Sequence, residues 1–503
     1  MIVVDLFLAF LVIYILFNIS AILKWWKARQ RSNELAAQFY GPPGLPVFGN
    51  MLNFIGGSVA MANYMSTEVN KAAEAGEDIM KFNVGPFLWI VPLTGKAVEA
   101  VVESSEEIKK DDNYDFAAKW FGQGLLTSSG DRWRQRRKLL TPSFNTPVLK
   151  GFLVDFNEQT KILLSKFDAV CDGKTEVNVF PYLQKAALDM ICATAMGYNL
   201  KSQEDPENEY LQATSKFHSL LTHFSVNPQY KVDALYYIFG RGFELDKVLK
   251  TLKAFTSKVI ETKKREIIEF ARNNCSGKIK GSLMSSLLEL NAQNKLTDID
   301  VKDEADTFVF GGFNSTSTSH SFLLWSLATH PEVQQKLFEE IFDVYGDDER
   351  DVIYDDFSKF TYLDMVIKES LRRHPSVPFG FREIQNEFKV LDKTVPKGAH
   401  FMLSTYFRNL NPKLFPEPLK FDPDRFLVEN ITKNHPYDYT PFSSGPRNCI
   451  GQTYAMIQIR LVVISVLRRF KLSARKGMDY VIHVPEVVLT PLDDIPIIFS
   501  RRV

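Results

Sequence analysis

The chain has 503 residues, of which 45% are hydrophobic and 24% are charged, and these proportions of an ordinary globular protein exclude a disordered or collagen-like chain. The 60 Lys and Arg residues balance 60 Asp and Glu residues, so the chain has no basic excess for nucleic acid, and no nucleic-acid partner is expected. The 4 cysteines include no C-x-x-C pair, which excludes a zinc ribbon and a secreted disulfide scaffold.

The amino-terminal segment is the first predicted element. Residues 1–23 form an apolar run, and a helix of that length is roughly 35 Å long, enough to cross a hydrocarbon core of about 30 Å. Basic residues at 24–31 follow the run and are expected to remain in the cytosol. We therefore predict an uncleaved single-pass anchor with the rest of the chain cytosolic. A cleaved signal peptide is the alternative, but it requires a basic leader and a small-residue cleavage site that this sequence does not contain.

Residues 24–50 are predicted to join the anchor to the rest of the chain, residues 51–503, which we treat as one domain. The segment starts with basic stop-transfer residues and continues into a G-P-P-G-L-P sequence at 41–46. Proline fixes φ and removes backbone donors, so this proline-rich hinge is expected to be stiff and to orient the domain relative to the membrane. A simple linker is the alternative interpretation.

Helical and strand periodicities continue along the domain and indicate a mainly α fold with small β-sheets, of the α+β class. Strands are predicted at 79–84 and 88–91, helices at 148–167, 210–224, 245–272, 302–330, 332–345 and 362–374, strands at 388–391 and 400–403, a helix at 452–470, and strands at 487–489 and 497–499. Surface loops are predicted at 202–209 and 273–282. The helix at 302–330 would be roughly 43 Å long, so it is expected to cross the domain.

The stretch 442–451 carries the most informative motif. It contains Phe442, Gly445, Arg447, Cys449 and Gly451, directly before the predicted helix at 452–470. The glycines allow tight backbone turns around the cysteine. A nearby arginine and a helix amino terminus both favour the thiolate form of a cysteine. An arbitrary buried cysteine is usually an inert core residue, but this spacing indicates a cysteine kept for its thiolate chemistry.

This motif matches F-x-x-G-x-R-x-C-x-G, and three further motifs follow the order found in the cytochrome P450 superfamily. They are W-x-x-x-R at Trp133 and Arg137, E-x-x-R at Glu369 and Arg372, and P-x-R-F at Pro423, Arg425 and Phe426. The sequence therefore resembles the haem-thiolate monooxygenases of that superfamily over its whole length. The resemblance implies the cytochrome P450 fold, in which the long central helix lies over a haem held by the cysteine loop.

The resemblance also implies how the cofactor is bound. Haem b would take Cys449 as its axial thiolate ligand, in a loop shaped by Phe442, Gly445 and Gly451. Arginine suits carboxylates, so basic residues are expected to bind the two haem propionates, although one of them, Arg382, is matched by position rather than by a motif. The residues expected to bind the propionates are Trp133, Arg137, Arg382 and Arg447.

A second set of residues is implied to be structural. Glu369, Arg372 and Arg425 would form a buried ion network that holds the Cys449 loop and takes no part in catalysis. Glu369 and Arg372 are three residues apart and therefore share one face of a helix. The alternative is a solvated ion pair on the surface of that helix.

The middle of the long predicted helix departs from the family pattern. Family members usually carry an acid followed by Thr there and use both to relay protons during oxygen activation, whereas this sequence has Asn314, Ser315 and Thr316. The Ser hydroxyl can still pass a proton, but Asn cannot ionise. We predict catalytic roles for these three residues and slower or less tightly coupled oxygen activation. The alternative is that they are ordinary helix residues.

Within the superfamily, the segments 130–144, 303–310 and 375–378 are most similar to family four, of microsomal type. Many members of that family bind haem covalently through a Glu at the position of Gly311, so no such ester is expected here.

Fatty acids are the leading substrate class that the resemblance implies, followed by hydrocarbons, hormone-like terpenoids and foreign lipophiles. Aromatic residues near the pocket suit either substrate contact or plain core packing. The expected substrate contacts are Phe121, Phe310, Gly311, Ser315 and Phe379.

By resemblance, the protein is expected to insert one atom of O2 into a lipophilic substrate at the endoplasmic reticulum membrane. Electrons would come from NADPH through a separate NADPH–cytochrome P450 reductase, with cytochrome b5 as a further candidate donor. The basic face formed by Arg132, Arg134, Arg136 and Lys138 would either steer an acidic donor or be a solvated surface. The apolar segment 236–239 would either enter the bilayer or pack in the core. Two other functions stay open: a haem-thiolate isomerase or dehydratase acting on a peroxide, and a non-catalytic haem- or lipophile-binding protein.

Overall fold

The structure is a computed structural model that describes residues 20, 23–24, 27–225, 227–272, 281–477, 481 and 483–502. The predicted anchor at 1–23 lies outside the described residues, apart from residues 20 and 23. The predicted loop at 273–282 also lies outside them, apart from its last two residues. Across the described ranges, no helix is both long enough and apolar enough to cross a membrane.

Helices make up most of the described chain, in agreement with the predicted mainly α class. The α-helices are α1 (Ser58–Glu74), α2 (Gly95–Val102), α3 (Asn113–Phe121), α4 (Gly130–Leu140), α5 (Thr146–Gly151), α6 (Leu153–Ala169), α7 (Phe180–Ile191), α8 (Glu209–Ser225), α9 (Asp233–Phe239), α10 (Gly242–Arg272), α11 (Leu283–Ala292), α12 (Asp298–Thr329), α13 (Pro331–Tyr345), α14 (Tyr362–Arg373), α15 (Thr405–Asn409), α16 (Val428–Ile431) and α17 (Gln452–Arg469). A helical stretch also covers 27–36, and a π-helical turn, Cys192–Met196, extends α7.

The strands form small sheets beside the helices. They are β1 (Ile79–Val84), β2 (Phe87–Pro92), β3 (Glu176–Asn178), β4 (Phe379–Glu383), β5 (Phe388–Val390), β6 (Lys393–Val395), β7 (His400–Ser404), β8 (Phe470–Ser473), β9 (His483–Pro485), β10 (Leu489–Pro491) and β11 (Pro496–Arg501). The largest described sheet has the order β1-β2-β7-β4, in which only β2 and β7 are parallel. The others have the orders β3-β11-β8, β10-β9 and β5-β6.

Most predicted elements lie where the periodicity places them. Strand β1 has the predicted bounds, and the predicted helix at 302–330 is α12, which begins four residues earlier. The predicted helix at 148–167 is wrong as a single element, because α5 ends at Gly151, a weak helix former, and α6 begins afresh. The predicted strand at 487–489 is wrong in its first two residues, since Val487 and Val488 lie in the bend between β9 and β10.

Helix α12 is the longest element described, with 32 residues and a length of roughly 48 Å. Its start is defined by a capping box, in which Thr297 Oγ1 accepts from the Asp300 amide (3.2 Å) and the Asp300 carboxylate accepts from the Thr297 amide (2.8 Å). It ends before Pro331, which begins α13, one residue before the predicted start of that helix. Because its middle is buried on all sides except the one that faces a cavity, α12 is the frame on which the site is built.

Two hydrophobic cores flank this frame. The main core contains residues such as Phe313 and Trp325 of α12 with Leu467 of α17. A smaller core lies under the four-stranded sheet, where Ile90 and Phe401 pack against the helix α2. The proline-rich hinge is attached to the edge of this sheet, because isolated bridges join Tyr40 to Met80 and Gly49 to Val84.

Candidate functional site

The loop that carries Cys449 directly precedes α17. Cys449 N donates to the carbonyl of Phe442 (2.9 Å) and Asn448 N donates to the carbonyl of Gly445 (3.1 Å), so two backbone hydrogen bonds fix its shape. Gly445 has a φ of +66°, and a Cβ there would collide with the carbonyl oxygen of Val102. Both the backbone angle and the lack of space therefore require glycine at this position.

The accessible surface of Cys449 opens onto an internal cavity, while protein surrounds the thiol. Burial raises the pKa of the Cys449 thiol, whereas a backbone hydrogen bond from Gly451 and the positive charge of Arg137 lower it. Gly451 approaches the sulfur closely, since a Cβ at this glycine would lie 3.8 Å from Cys449 Sγ. The loop thus presents one sulfur, stabilised by an N–H donor, to the cavity.

Arg447 holds the loop against the segment that follows α3. Its Nε donates to the carbonyl of Ile108 (3.1 Å), its Nη1 donates to that of Leu125 (3.2 Å), and its Nη2 donates to that of Ser128. The guanidinium carbon lies 4.5 Å from the ring centroid of Trp133, in a cation–π contact. The predicted residues Arg447 and Trp133 are therefore brought together, and both line the cavity.

Arg447 belongs to a cluster of buried cations on the cavity wall. Burial lowers its pKa to about 9, helped by the nearby charge of Arg382. Burial and the charges of the two arginines also hold the pKa of Lys110 well below its ordinary value. Arg382 Nη1 donates to the carbonyl of Phe381 (3.2 Å), and Lys110 Nζ lies 3.2 Å from the hydroxyl of Tyr114. Among the described residues, no carboxylate forms an ion pair with these three side chains. The nearest acid that acts on them is the buried Asp111, which raises the pKa values of Lys110 and Arg382 but is hydrogen-bonded to Asn113 and lies 3.1 Å from His400.

Arg137 occupies a different position from the other predicted propionate ligands. Its Nη1 and Nη2 donate to the backbone carbonyl (3.0 Å) and the side-chain oxygen (2.6 Å) of Asn448, next to the cysteine. It lines the cavity, and burial lowers its pKa. The structure therefore places Arg137 as a support of the cysteine loop, with one side turned to the same space as Trp133.

The predicted basic face of α4 is largely neutralised by its neighbours. Arg132 pairs with Asp300 (2.8 Å), the buried Arg136 pairs with the same carboxylate, and Arg134 pairs with Asp131 (2.8 Å). Lys138 is exposed. The expectation that the whole face steers an acidic donor is thus wrong for Arg136, because this side chain is buried against α12.

The predicted ion network is present and fully buried at its centre. Glu369 and Arg372 are 0% exposed, and Arg372 forms two hydrogen bonds with the Glu369 carboxylate, at 2.7 and 2.8 Å. Arg372 also donates to the carbonyls of Asn409 and Pro418. Arg425 is 3.6 Å from Glu369 and 14% exposed, so it contributes a longer ion pair. The network joins α14 to the segment before α16.

The middle of α12 lines the cavity with hydroxyl and amide groups. Ser315 Oγ donates to the carbonyl of Gly311 (2.9 Å), Thr316 Oγ1 donates to that of Gly312 (2.6 Å), and Asn314 Nδ2 donates to that of Phe310 (3.3 Å). Every one of these donors is therefore bonded within its own helix. A Cβ at Gly311 would meet nothing within 4 Å, whereas one at Gly312 would collide with Ile191 of α7.

One cavity of about 490 Å³ connects the cysteine loop with this part of α12. All five predicted substrate residues line it, and the ring centroids of Phe121 and Phe310 are 4.7 Å apart. Phe379 also contacts Phe407, so it serves both the core and the cavity wall. The lining is mainly apolar, with further members including Met61, Leu126, Leu221 and Val488.

Sequence reasoning missed three acidic or basic residues of the lining. They are Lys110, Arg408 and Glu486. Lys110 follows another lysine in an ordinary charged stretch, and the other two lie in segments without a motif, so no local signal distinguishes them. Only the packing of distant segments places them beside the cavity.

These residues fit a haem with an axial thiolate. The sulfur of Cys449 would provide a thiolate ligand for the iron, and the neighbouring side chains of Lys110, Arg382 and Arg447 would provide positive charge for two propionates. The fit rests on the fact that none of these three basic side chains forms an ion pair with a described carboxylate, since like charges grouped in a partly buried site are otherwise costly.

Comparisons with known proteins agree with this geometry. The sequence model of the family described as Cytochrome P450 matches residues 40–495. Cytochrome P450 4V2 of Pongo abelii is 36% identical over 435 residues, which cover 84% of this chain and 82% of that protein. Cytochrome P450 4c21 of Blattella germanica is 31% identical over 489 residues, which cover 96% of this chain and 97% of that protein.

A solved structure shares the fold. The crystal structure of cytochrome P450DA heme domain superposes with a TM-score of 0.76, at 21% identity, over 92% of this chain and 98% of that one. The predicted fold class is therefore confirmed for the described body of the chain. From its motifs, its cysteine loop and these relatives, the chain belongs to the cytochrome P450 family, within family four, and is a monooxygenase of that family.

Proposed function

We propose that this enzyme inserts one atom of O2 into a lipophilic small molecule, using electrons that NADPH supplies through a separate reductase. The observation that carries the proposal is the apolar cavity that Cys449, the cation cluster and the hydroxyl-bearing middle of α12 all line. An apolar pocket with a few convergent polar groups is the usual form of a site for a lipophilic substrate. Fatty acids, hydrocarbons, hormone-like terpenoids and foreign lipophiles are the candidate substrate classes.

Haem b is the proposed cofactor, and its role follows from the residues around it. When bound, a haem with a thiolate ligand supplies the chemistry that activates dioxygen for insertion into a C–H bond. Cys449 is the proposed axial ligand. Lys110, Arg382 and Arg447 are the proposed propionate ligands, with Trp133 packed on Arg447. Because Gly311 replaces the Glu of many family-four members, we propose that the haem is held without an ester bond.

The polar groups of α12 are proposed to deliver protons. Ser315 Oγ is the group most suited to this, since it is accessible to the cavity and already donates along the helix to Gly311. Asn314 is proposed to order hydrogen-bonding groups rather than to release a proton, because an amide does not ionise. Thr316 Oγ1 donates to Gly312 and lines the same cavity, so it is the second hydroxyl available.

The proposed location is the endoplasmic reticulum membrane, with the catalytic domain in the cytosol. The apolar run at 1–23 supports an anchor. Exposed apolar side chains support a second contact with the bilayer: Ile238 is 68% exposed and Phe239 is 73% exposed, both on α9, while Tyr236 of the same helix is buried. NADPH–cytochrome P450 reductase is the proposed electron donor, with cytochrome b5 as an additional one.

The carbon monoxide difference spectrum of the reduced protein tests the cofactor assignment. We expect a red-shifted Soret band in the wild-type enzyme and its loss in Cys449→Ser, because a serine hydroxyl does not replace the thiolate. Cys171→Ser is the matched control, since this cysteine is remote from the cavity lining. A band of unchanged position and strength in Cys449→Ser would contradict the role of Cys449.

Reductase-dependent turnover tests the reaction. We expect product formation from lipophilic substrates to require reductase, NADPH and O2 together. A peroxide isomerase or dehydratase would instead convert a lipid hydroperoxide without NADPH, and the amide at Asn314 is the feature that keeps this alternative open. Conversion of a hydroperoxide alone, with no NADPH-dependent product from any lipid, would therefore refute the monooxygenase proposal. Haem binding without either activity would indicate a binding protein.

A further inference from the structure

Glu486 is an ionisable residue of the cavity wall that none of the roles above uses. It lies in the bend between β9 and β10, and it lines the same cavity as Cys449. Ser58 Oγ donates to its Oε1 (2.9 Å), and the hydroxyls of Thr222 and Thr490 lie near the carboxyl group, although Thr490 Oγ1 donates to the carbonyl of Val488 (3.0 Å). The carboxyl group is therefore surrounded by neutral hydroxyl groups.

The surroundings of Glu486 come from three elements, none of which carries the cysteine loop. They are the amino-terminal residue of α1, the carboxyl-terminal part of α8, and the β9–β10 hairpin. Burial raises the pKa of Glu486, and the hydroxyl groups oppose that shift. Among the described residues, no cation forms an ion pair with this carboxyl group. Any further hydrogen-bond donor that reaches a carboxyl group in this setting stabilises its charged form.

The cations that line the cavity belong to another part of its wall. Lys110, Arg382 and Arg447 influence one another electrostatically, and Arg137 acts on Arg447 and Cys449. The remaining lining arginine, Arg408, donates to the carbonyl of Asp438 (3.0 Å) and to Thr440 Oγ1 (2.6 Å). None of these five cations acts on the pKa of Glu486. A substrate carboxylate placed beside Glu486 would meet an acid of like charge and no counter-ion. A hydroxyl group placed there would donate to a carboxylate oxygen. The wall therefore discriminates between two lipids that differ only in their polar end.

We propose that Glu486 determines substrate specificity by accepting a hydrogen bond from a hydroxyl group of the substrate. This inference rests on the proposed function and narrows its substrate class to lipophiles with an alcohol group, such as long-chain alcohols or hydroxylated terpenoids, in preference to free fatty acids. The apolar remainder of the cavity then accommodates the hydrocarbon part, between residues such as Phe121 and Phe310 of the lining.

The test compares dodecan-1-ol with dodecanoic acid, two probes with the same chain and different polar ends. Binding to the holoenzyme is measured by the shift of the haem Soret band without NADPH, and turnover is measured with reductase and NADPH. We expect wild-type enzyme to bind the alcohol roughly tenfold more tightly than the acid, the difference that one hydrogen bond to a charged group produces. Glu486→Gln should reduce this preference severalfold, and Glu486→Lys should reverse it.

A matched control is available on α1, where Glu68 is also partly shielded but pairs with Lys71 outside the cavity lining. Glu68→Gln should keep the wild-type preference. A wild-type preference for the acid, or a preference unchanged in both Glu486 variants while their carbon monoxide spectra stay normal, would overturn the role of Glu486. Because binding is read without NADPH, the binding comparison decides the role of Glu486 even if neither probe is converted, whereas the proposed function fails only if no lipid gives an NADPH-dependent product.

Discussion

At the scale of single residues, the distinctive feature of the proposed proton-delivery region is Asn314, whose amide cannot ionise. Its amide is buried on α12, lines the cavity and donates to the carbonyl of Phe310 (3.3 Å). An aspartate at this position would have nearly the same size and would add an ionisable group. Position 314 is therefore suited to a substitution that changes proton chemistry while changing packing little.

We expect Asn314→Asp to raise the fraction of NADPH electrons that reach product and to lower hydrogen peroxide release, each by a few-fold, because an ionisable side chain can supply protons that an amide cannot. Parallel assays of NADPH consumption, peroxide and product measure this coupling. Ser321→Ala is the control, since Ser321 is buried on the same helix outside the cavity lining. Unchanged coupling in Asn314→Asp would show that position 314 does not limit proton delivery.

At the scale of secondary-structure elements, the buried ion network fixes α14 to the chain that leads toward the cysteine loop. Arg372 contributes hydrogen bonds to Glu369 and to three backbone carbonyls, those of residues 409, 418 and 420, whereas Arg425 contributes one long ion pair and one carbonyl contact. The two arginines share one carboxylate but differ in burial. Their replacement is therefore expected to have unequal effects.

Arg372→Met should destabilise the holoenzyme by roughly 3–5 kcal/mol, because it leaves the buried Glu369 carboxylate without its closest partner. Arg425→Met should cost less than half as much, since this ion pair is longer and partly exposed. Haem content on purification and the midpoint of thermal haem release measure both effects. Equal losses for the two variants would contradict the ranking, and normal haem loading of Glu369→Ala would contradict a structural role for the network.

A second contact between elements holds the loop after α3 to α12. The Asp303 carboxylate accepts from the amide of Gln123 (2.8 Å), and the Glu304 carboxylate accepts from the amide of Leu125 (3.1 Å). The carbonyl of Leu125 in turn accepts from Arg447. Acids of the central helix are thus connected, through this loop, to the cation cluster of the haem site.

At the scale of the whole molecule, two buried acids of α12 make folding stability depend on pH. Burial raises the pKa of Glu304 to about 7, against the hydrogen bond from Leu125, and burial also raises the pKa of Asp306 to about 7, against hydrogen bonds from Thr256 and Trp120. Unfolded carboxyl groups titrate near pH 4. Between about pH 4 and 7 the folded chain therefore holds protons that the unfolded chain has released, so stability falls as pH rises through this window.

Glu304→Gln should remove the loss of stability with rising pH that Glu304 causes, because glutamine stays neutral at every pH. The free energy of unfolding of the variant minus that of wild type should be larger at pH 8 than at pH 5, by an amount on the order of 1–3 kcal/mol. Thermal unfolding midpoints at the two pH values measure this change. Glu74→Gln, at an exposed position of α1, should track the wild-type curve. If the unfolding midpoint of Glu304→Gln had the same pH dependence as that of wild type, Glu304 would not be the titrating group.

Local sequence pattern was sufficient to predict the fold class and the residues at the centre of the site. Helical periodicity located α12 and α17, because burial of one face repeats along a helix and can be read residue by residue. The spacing around Cys449 predicted a tight loop, and the positive φ at Gly445 confirms the need for glycine at that position. The Glu369–Arg372 pair was also readable, since residues three apart on a helix share a face.

Tertiary structure alone decided which residues surround the cavity. Lys110, Glu304 and Glu486 lie in three distant parts of the chain. No local motif marks Lys110 or Glu486, and the family-four segment 303–310 gives no role to Glu304. Lys110 and Glu486 reach the cavity wall, and Glu304 holds the loop that supports Arg447, only because packing around α12 brings their segments together. Packing also pairs Arg136 with Asp300, which removes a charge that the sequence had placed on an outer face. Contacts between distant segments depend on the whole folded chain, so short-range periodicity carries no information about them.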